Sequence, residues 1–438
     1  MGQRISQVSL TLMLVSAFVL VASCVPPPRP EPAPTQVVPR ETLMPHVQAI
    51  RAEPIVRVRV GAGREEVTLA NPDGGRRLVI APRPGSPQAR SFPGPVTFTR
   101  DGDRYLLAAG NGRRYAWPAA SLRVTPATGD RLDLDGERAY PGAIVLVAGD
   151  DNAFDLVNHV HMERYLPGVV ERELYGSWHP ATFQAQVIAA RSYAFFEMAA
   201  NRRRHFDLHD SAASQVYGGL SEHAPSLSAV RRTRGQVIVH GNRVVPAFYS
   251  STCGGRTQSA VAAFPGRAHV VDIPPLAGNV GCTSCEASPT FRWSTIHRGR
   301  DDTARRIAAW GRATGHSVGA LRGLSAVNVI PGPVPGRPGG FELLDHRGQR
   351  FRIAPEAFRF ACNHEADGLA SLGREDRLRS SYVRVQVAGS RVTFTDGRGF
   401  GHGVGLCQWG AQGLAQQGYT AAQIVRHYYP QSFVRAAY

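Results

Sequence analysis

The chain has 438 residues, of which 43% are hydrophobic and 19% charged, which excludes a wholly disordered protein and leaves room for more than one packed core. Its formal net charge of +16 comes from arginine alone, since the sequence contains no lysine. Such uniform usage is the mark of a GC-rich genome; the arginines are scattered apart from Arg202, Arg203 and Arg204, with no basic stripe interleaved with aromatics, so the charge suits an acidic wall polymer or membrane surface and not a nucleic-acid groove.

The chain begins with Arg4, an apolar run over 8–22, and then Val21-Ala22-Ser23-Cys24. The run is shorter than the roughly 20 residues a membrane-spanning helix needs, and small residues before Cys24 suit a signal-peptide cleavage site. The segment resembles a bacterial lipobox, which implies that Cys24 is lipidated and becomes the first mature residue. Without an Asp after Cys24, the same resemblance implies delivery to an outer membrane, facing the periplasm. An ordinary signal peptide with an incidental cysteine is the alternative. Met1-Gly2 with Ser6 also fits a myristoylation pattern, but the apolar run behind it argues for export. Residues 25–50 are proline-rich and should form an extended, disordered tether from lipid to wall.

Residues 51–138 read as a small β-region. Ile55 to Val60 alternates with the period of a half-buried strand, Asn71 to Gly75 is a turn, and further β runs appear at Leu78–Ile80, Val96–Phe98 and Tyr105–Ala108, then at Ala143–Val147. From Pro180 the period changes: Phe183, Val187, Ala190, Ala194 and Met198 recur at helical spacing, so a helix is predicted over Pro180–Asn201 with Ser177 or His179 as its cap. A second helix is predicted from Pro225 to Arg234, stopped by Gly235, and a third over Asp301–Ala313. Strands are predicted at Val237–His240, Val244–Tyr249, Phe341–Leu344 and Val383–Phe394, followed by a glycine-rich turn and short helices at Gly405–Gln417 and Thr420–Tyr428. No internal repeat is evident.

Several separated segments carry the chemistry: Tyr165-Leu166-Pro167-Gly168-Val169-Val170-Glu171-Arg172-Glu173-Leu174, Gln184 to Ala194, Ser214-Gln215-Val216-Tyr217, Tyr249 to Gly255, Gly397 to Gly405, Gln408-Trp409-Gly410-Ala411 and His427-Tyr428-Tyr429-Pro430. In this order they resemble the SpoIID/LytB family of sporulation and cell-wall proteins, over most of Tyr140 to Pro430. The resemblance implies a domain over 139–432 of α+β class, β-rich with antiparallel or barrel-like strands and a few helices, and a groove between a Glu173 loop and the Gly397–Gly405 loop. It also implies peptidoglycan glycan strands as substrate, cleaved between MurNAc and GlcNAc by a lytic transglycosylase that leaves a 1,6-anhydro end. The glutamate of the Gly-Val-Val-x-x-Glu segment is then the catalytic group, and here it is Glu173. LytB-type relatives are amidase enhancers, so a non-catalytic glycan binder that stimulates a cell-wall amidase is the second reading, and a purely structural envelope lipoprotein the third.

The chemistry is economical. One carboxyl can protonate the departing glycosidic oxygen and then take the proton from the sugar's own C6 hydroxyl, so no second carboxylate is required, in contrast to hydrolysis. Such a group must be protonated near neutral pH, and burial beside Leu174 and Phe183 should raise its pKa. Glu171 and Glu163 are nearby decoys. The candidate sugar contacts are Gln186, Arg191, Tyr217, Ser250, Ser251, Gly254, His402 and Gln408; Arg191 can equally brace the Glu173 segment, Gly254 a tight turn, and His402 the fold.

Some members of the family bind zinc through Cys and His just before the Gln-Val-Tyr motif. Here that stretch has no cysteine, leaving His205, His209 and Asp210 as weak candidates, so no cofactor is expected. Beyond Cys24 the cysteines are Cys253, Cys282, Cys285, Cys362 and Cys407. Export favours disulfides with one thiol left over, while a structural zinc site built from the Cys282-x-x-Cys285 pair and Cys253 is the other reading.

Overall fold

The computed structural model describes residues 44–438 except 74–75 and 267–269; Cys24, the expected lipobox and the expected tether as far as residue 43 lie outside the described residues. Strand Ile55–Arg64 buries Val56 and Val58 and turns Arg57 and Arg59 outward, as its alternation predicts. It pairs antiparallel with Phe154–His161, which pairs onward with Ala143–Ala148, then Ser121–Pro126, Arg77–Ala81 and Arg90–Pro93, while Leu208–His209 adds a short parallel edge. A second sheet runs Arg138–Pro141, Arg131–Leu134, Glu66–Ala70, Val96–Asp101, Arg104–Ala109 and Arg114–Pro118. Of the two arrangements expected, the antiparallel one holds, and among the described residues neither large sheet closes into a barrel. The seven-stranded sheet also runs straight across the boundary expected at 138/139: Ser121–Pro126 pairs with Ala143–Ala148, and Ile55–Arg64 pairs with Phe154–His161 about a hundred positions away.

Helix α1, Met162–Glu173, leaves the end of strand Phe154–His161, so Glu173 is the last residue of a helix, which corrects the loop expected there. Pro167 and Gly168 hide α1 in the sequence, since an interior proline costs a helix about 3 kcal/mol and glycine about 1. Burial of Tyr165, Leu166, Val169 and Val170 against the sheets offsets that cost.

Helix α2, Pro180–Ala200, agrees with its prediction to one residue. Pro180 occupies the first turn, and of the two expected caps it is His179 that acts, its Nδ1 accepting from the Ala181 N–H at 3.2 Å. Most of α2 is buried, because it fills the space between two cores. On one side Phe183, Val187 and Ala190 join the sheets; on the other Ala185, Ile188 and Ala189 meet Ile238, Leu406, Ile424 and the cysteine-bearing loops.

A third core lies within 293–394, where helices Arg300–Thr314 and Pro355–Cys362 pack on two three-stranded sheets. The single strand expected over Val383–Phe394 is instead a hairpin of Arg384–Ala388 and Arg391–Thr395, turned by Gly389 at φ 56°. The start of the described chain is clipped to a distant hairpin. The Val47 N–H donates to Asn242 O at 3.0 Å, Val244 N–H to Pro45 O at 2.9 Å and Arg243 to Met44 O at 2.9 Å, with Met44 and Val47 buried.

Candidate active site

Glu173 stands where α1 ends, and the N-terminus of helix Gln408–Gln416 comes to meet it: Gln408 Nε2 donates to Glu173 Oε2 at 3.0 Å. The meeting is arranged by strand Tyr249–Ser250 lying parallel to Leu406–Cys407, which places the first turn of that helix. Loss of water around the carboxyl pushes the Glu173 pKa up to about 7, and the Gln408 donor opposes that rise. Among the described residues no second carboxylate contributes to the shift. At neutral pH Glu173 is therefore poised between acid and base.

Two tyrosines, the buried Tyr165 and the half-buried Tyr249, lie within the field of Glu173, and its charge helps raise their pKa values, after desolvation as the larger cause. They are joined by one amide: Tyr165 OH donates to Gln215 Oε1 at 3.1 Å, and Gln215 Nε2 donates to Tyr249 OH at 2.9 Å. Close along the chain to Glu173 and Gln408 stand three aromatic rings that sequence reasoning missed. Tyr175, 60% exposed and two residues past Glu173, lies 5.3 Å from Trp178 and 6.0 Å from Trp409, and the two tryptophans are 5.1 Å apart. An aromatic edge with polar tips beside an ionisable carboxyl is a surface on which the C–H face of a sugar ring can lie. The signal was present as Tyr-x-x-Trp directly after the glutamate motif and the Trp of Gln-Trp-Gly.

The other predicted contacts sort by burial. Gln408 reaches the carboxyl, as described. Arg191 does not line the groove: its guanidinium is completely buried, with Nε and Nη2 donating to Glu163 Oε1 and Oε2 at 3.0 and 2.7 Å and Nη1 to Gln236 O at 2.9 Å. This corrects its assignment as a sugar contact and makes it a brace for the first turn of α1. Tyr217 is likewise a core residue, its hydroxyl donating to Asn158 Oδ1 at 3.0 Å and its ring against Tyr165. Gln186 is wholly buried, and its amide finds no hydrogen-bond partner among the described residues.

Ser250 is buried and accepts from the Gly403 N–H at 3.2 Å; Ser251 O accepts from the Trp409 N–H at 3.0 Å. Gly254, at φ 74°, lets the backbone pass so close to Arg398 and Gly399 that a Cβ would collide with it. His402 Nδ1 accepts from the Val404 N–H at 3.0 Å, and its ring meets Phe248 and Phe264 edge-on. The Gly397–Gly405 loop thus packs on the segment after Tyr249, while the helix that follows it reaches Glu173 through Gln408.

Metal candidates also separate. His205 Nε2 bonds Asp155 at 2.8 Å, His209 Nδ1 lies 3.2 Å from Arg59, and Asp210 lies 3.8 Å from Arg138, so these three do not form a ligand set. Cysteine gives a different result. The five described cysteines are free thiols, which corrects the expected disulfides, and the Sγ atoms of Cys253, Cys282, Cys285 and Cys407 all lie within 4.8 Å of one another in the second core. The fourth member escaped notice because Cys407 sits far along the chain, behind the glycine run.

Comparison with known proteins agrees with the resemblance read from the motifs. The SpoIID family model, stage II sporulation protein, matches residues 150–240, the stretch that holds α1, Glu173 and α2. An uncharacterized protein of Brachyspira hyodysenteriae is 27% identical over 310 residues, covering 69% of this chain and 73% of that protein. The amidase enhancer of Bacillus subtilis is 25% identical over 369 residues, 76% of this chain but 50% of the enhancer. Stage II sporulation protein D of Bacillus amyloliquefaciens is 26% identical over 289 residues, covering 62% and 74% respectively.

Proposed function

The chain belongs to the SpoIID family, and from that premise we propose that it is a peptidoglycan lytic transglycosylase with Glu173 as its acid and base. The observation that carries this reading is a lone carboxyl whose pKa is raised to about 7, held by one amide donor beside an exposed aromatic edge. Protonated Glu173 gives its proton to the O4 of GlcNAc as the C1–O bond from MurNAc breaks. The C6 hydroxyl oxygen of the same MurNAc bonds to C1, and its proton returns to the carboxylate. The products are a 1,6-anhydro end and a free GlcNAc 4-hydroxyl, with no water consumed. Hydrolytic glycosidases instead use two carboxyl groups roughly 5–9.5 Å apart.

Purified glycan strands, intact and stripped of stem peptides, are the test. Release of anhydro ends detected by mass supports the proposal; strands left uncut under both conditions sink it. The likeness to an amidase enhancer favours a second reading, in which the same surface holds a glycan strand and stimulates a cell-wall amidase. In that case muropeptide release rises only when the amidase is present. Under either reading we place the protein in the cell envelope, tethered through lipid on Cys24 and the segment from 25 up to Met44; the expected tether to residue 50 is shortened because Met44 and Val47 are buried and clipped to the 242–244 hairpin, and among the described residues no helix is long and apolar enough to cross a membrane.

Two substitutions probe the surroundings of the carboxyl. Tyr175→Ala removes the outermost ring with little effect on folding because the ring is exposed, and should raise KM for glycan by about 3- to 10-fold at nearly constant kcat. Unchanged KM would remove the aromatic edge from the binding surface. Gln408→Leu deletes the donor that holds the Glu173 pKa down, so the alkaline limb of the pH–rate profile should move to higher pH. A shift toward acid would contradict that arrangement.

A further inference from the structure

We propose that Cys253, Cys282, Cys285 and Cys407 bind one zinc ion as a closed tetrathiolate centre, and that this centre fixes the chain junction from which Gln408 reaches Glu173. The four thiols come from three separate places: the turn after strand Tyr249–Ser250, the short 3-10 turn Thr283–Cys285 with Cys282 just before it, and the cap of helix Gln408–Gln416. All four are buried, and their sulfurs lie within 4.8 Å of one another, Cys253 and Cys285 at 3.8 Å. A tetrahedron with Zn–S bonds of about 2.3 Å has S···S edges of about 3.8 Å. The cage therefore has the size of a single tetrahedral ion. A four-iron cluster, with its own sulfides between the thiolates, needs a wider one.

The surroundings suit negatively charged sulfur. Cys407 Sγ accepts from the Cys253 N–H at 3.2 Å and the Gly410 N–H at 3.4 Å, and Tyr428 OH lies 3.0 Å from Cys282 Sγ. Arg337, fully buried, donates to the carbonyls of Cys253 and Arg256 and lies over Tyr382, so its cation sits beside the thiol cage as a counter-charge. Donors of this kind around metal-bound sulfur orient the ligands and tune the centre. Gly410 is required by the same packing, since a Cβ there would run into both Cys282 Sγ and the Tyr428 hydroxyl. Four thiols gathered in an apolar core from three separate segments are what a structural ion would hold together. Cys362 lies apart in the third core and takes no part.

The centre is also joined to the carboxyl. Cys407 caps the helix that begins with Gln408, and Trp409 N–H donates to Ser251 O two residues before Cys253. Metal loss should free that junction. This second clause rests on the transglycosylase reading, whereas the zinc site itself does not.

Full-length protein purified without chelator from zinc-supplemented cells should contain one zinc per chain by elemental mass spectrometry. Its cobalt-substituted form should show the charge-transfer and d–d absorption of tetrahedral thiolate. Cys282→Ser and Cys407→Ser should each lower zinc content, Cys362→Ser should not, and stripping zinc from the wild type with a strong chelator should lower its melting temperature, which keeps the test decisive if a variant fails to fold. Protein that is zinc-free with the four cysteines in two disulfides, or that holds iron in place of zinc, overturns the proposal. These readouts need no glycan. If zinc is present and strands are cut equally well before and after its removal, the link to Gln408 is wrong.

Discussion

Glu173→Gln should lower release of anhydro ends by about a hundred- to ten-thousand-fold while glycan binding persists, because glutamine keeps the shape of the side chain and loses only the proton it exchanges. The wild-type rate should fall as pH rises through about 7, where the acid loses its proton. Stability carries the same signature with a definite sign. The carboxyl titrates near 7 in the fold and at its ordinary 4.5 when unfolded, so between those values the folded state binds the extra proton. Folding free energy is therefore lost as pH climbs from 4.5, and the loss is complete above 7. At pH 8 the glutamine variant, with no charge to desolvate, should be more stable than wild type by about 1–3 kcal/mol, and the gap should close below pH 4.5. Parallel melting temperatures across that range would mean that Glu173 is solvated, and the acid role would fall with it.

Arg191→Met should produce the largest loss of stability among single substitutions at this site, about 3–5 kcal/mol, because it leaves the buried Glu163 carboxylate without its cation. Denaturant unfolding measures it directly. Adding Glu163→Gln should recover part of the loss, since the stranded charge is then removed. A variant as stable as wild type with a raised KM would return Arg191 to the sugar-binding surface.

What the sequence disclosed was local, and what it hid was either long-range or locally unfavourable. Helix α2 was legible to one residue because its apolar period, Pro180 and the His179 cap all agree. The register of the glutamate motif singled out Glu173, but α1 was illegible because Pro167 and Gly168 argue against a helix that only burial stabilises. Arg191 and Tyr217 read as possible ligands because polar residues in a motif are ambiguous until their partners are known; those partners, Glu163 and Asn158, stand 28 and 59 positions away. The cysteines carried the same ambiguity. Their pairing by spacing stopped at three, and only the parallel approach of Leu406–Cys407 to Tyr249–Ser250 brings in the fourth.

If the chain is anchored upstream of Met44, as proposed, the clip at the start of the described chain sets where mechanical load enters the molecule. Tension arriving from upstream of Met44 falls first on the hydrogen bonds that join Met44, Pro45 and Val47 to Asn242, Arg243 and Val244, at the tip of a small hairpin. The strands that lead into α1 are bonded elsewhere and stay in register until that hairpin yields. A protein held to a surface and pulled by a moving polymer would thus stretch at its own anchorage before the geometry around the carboxyl is disturbed.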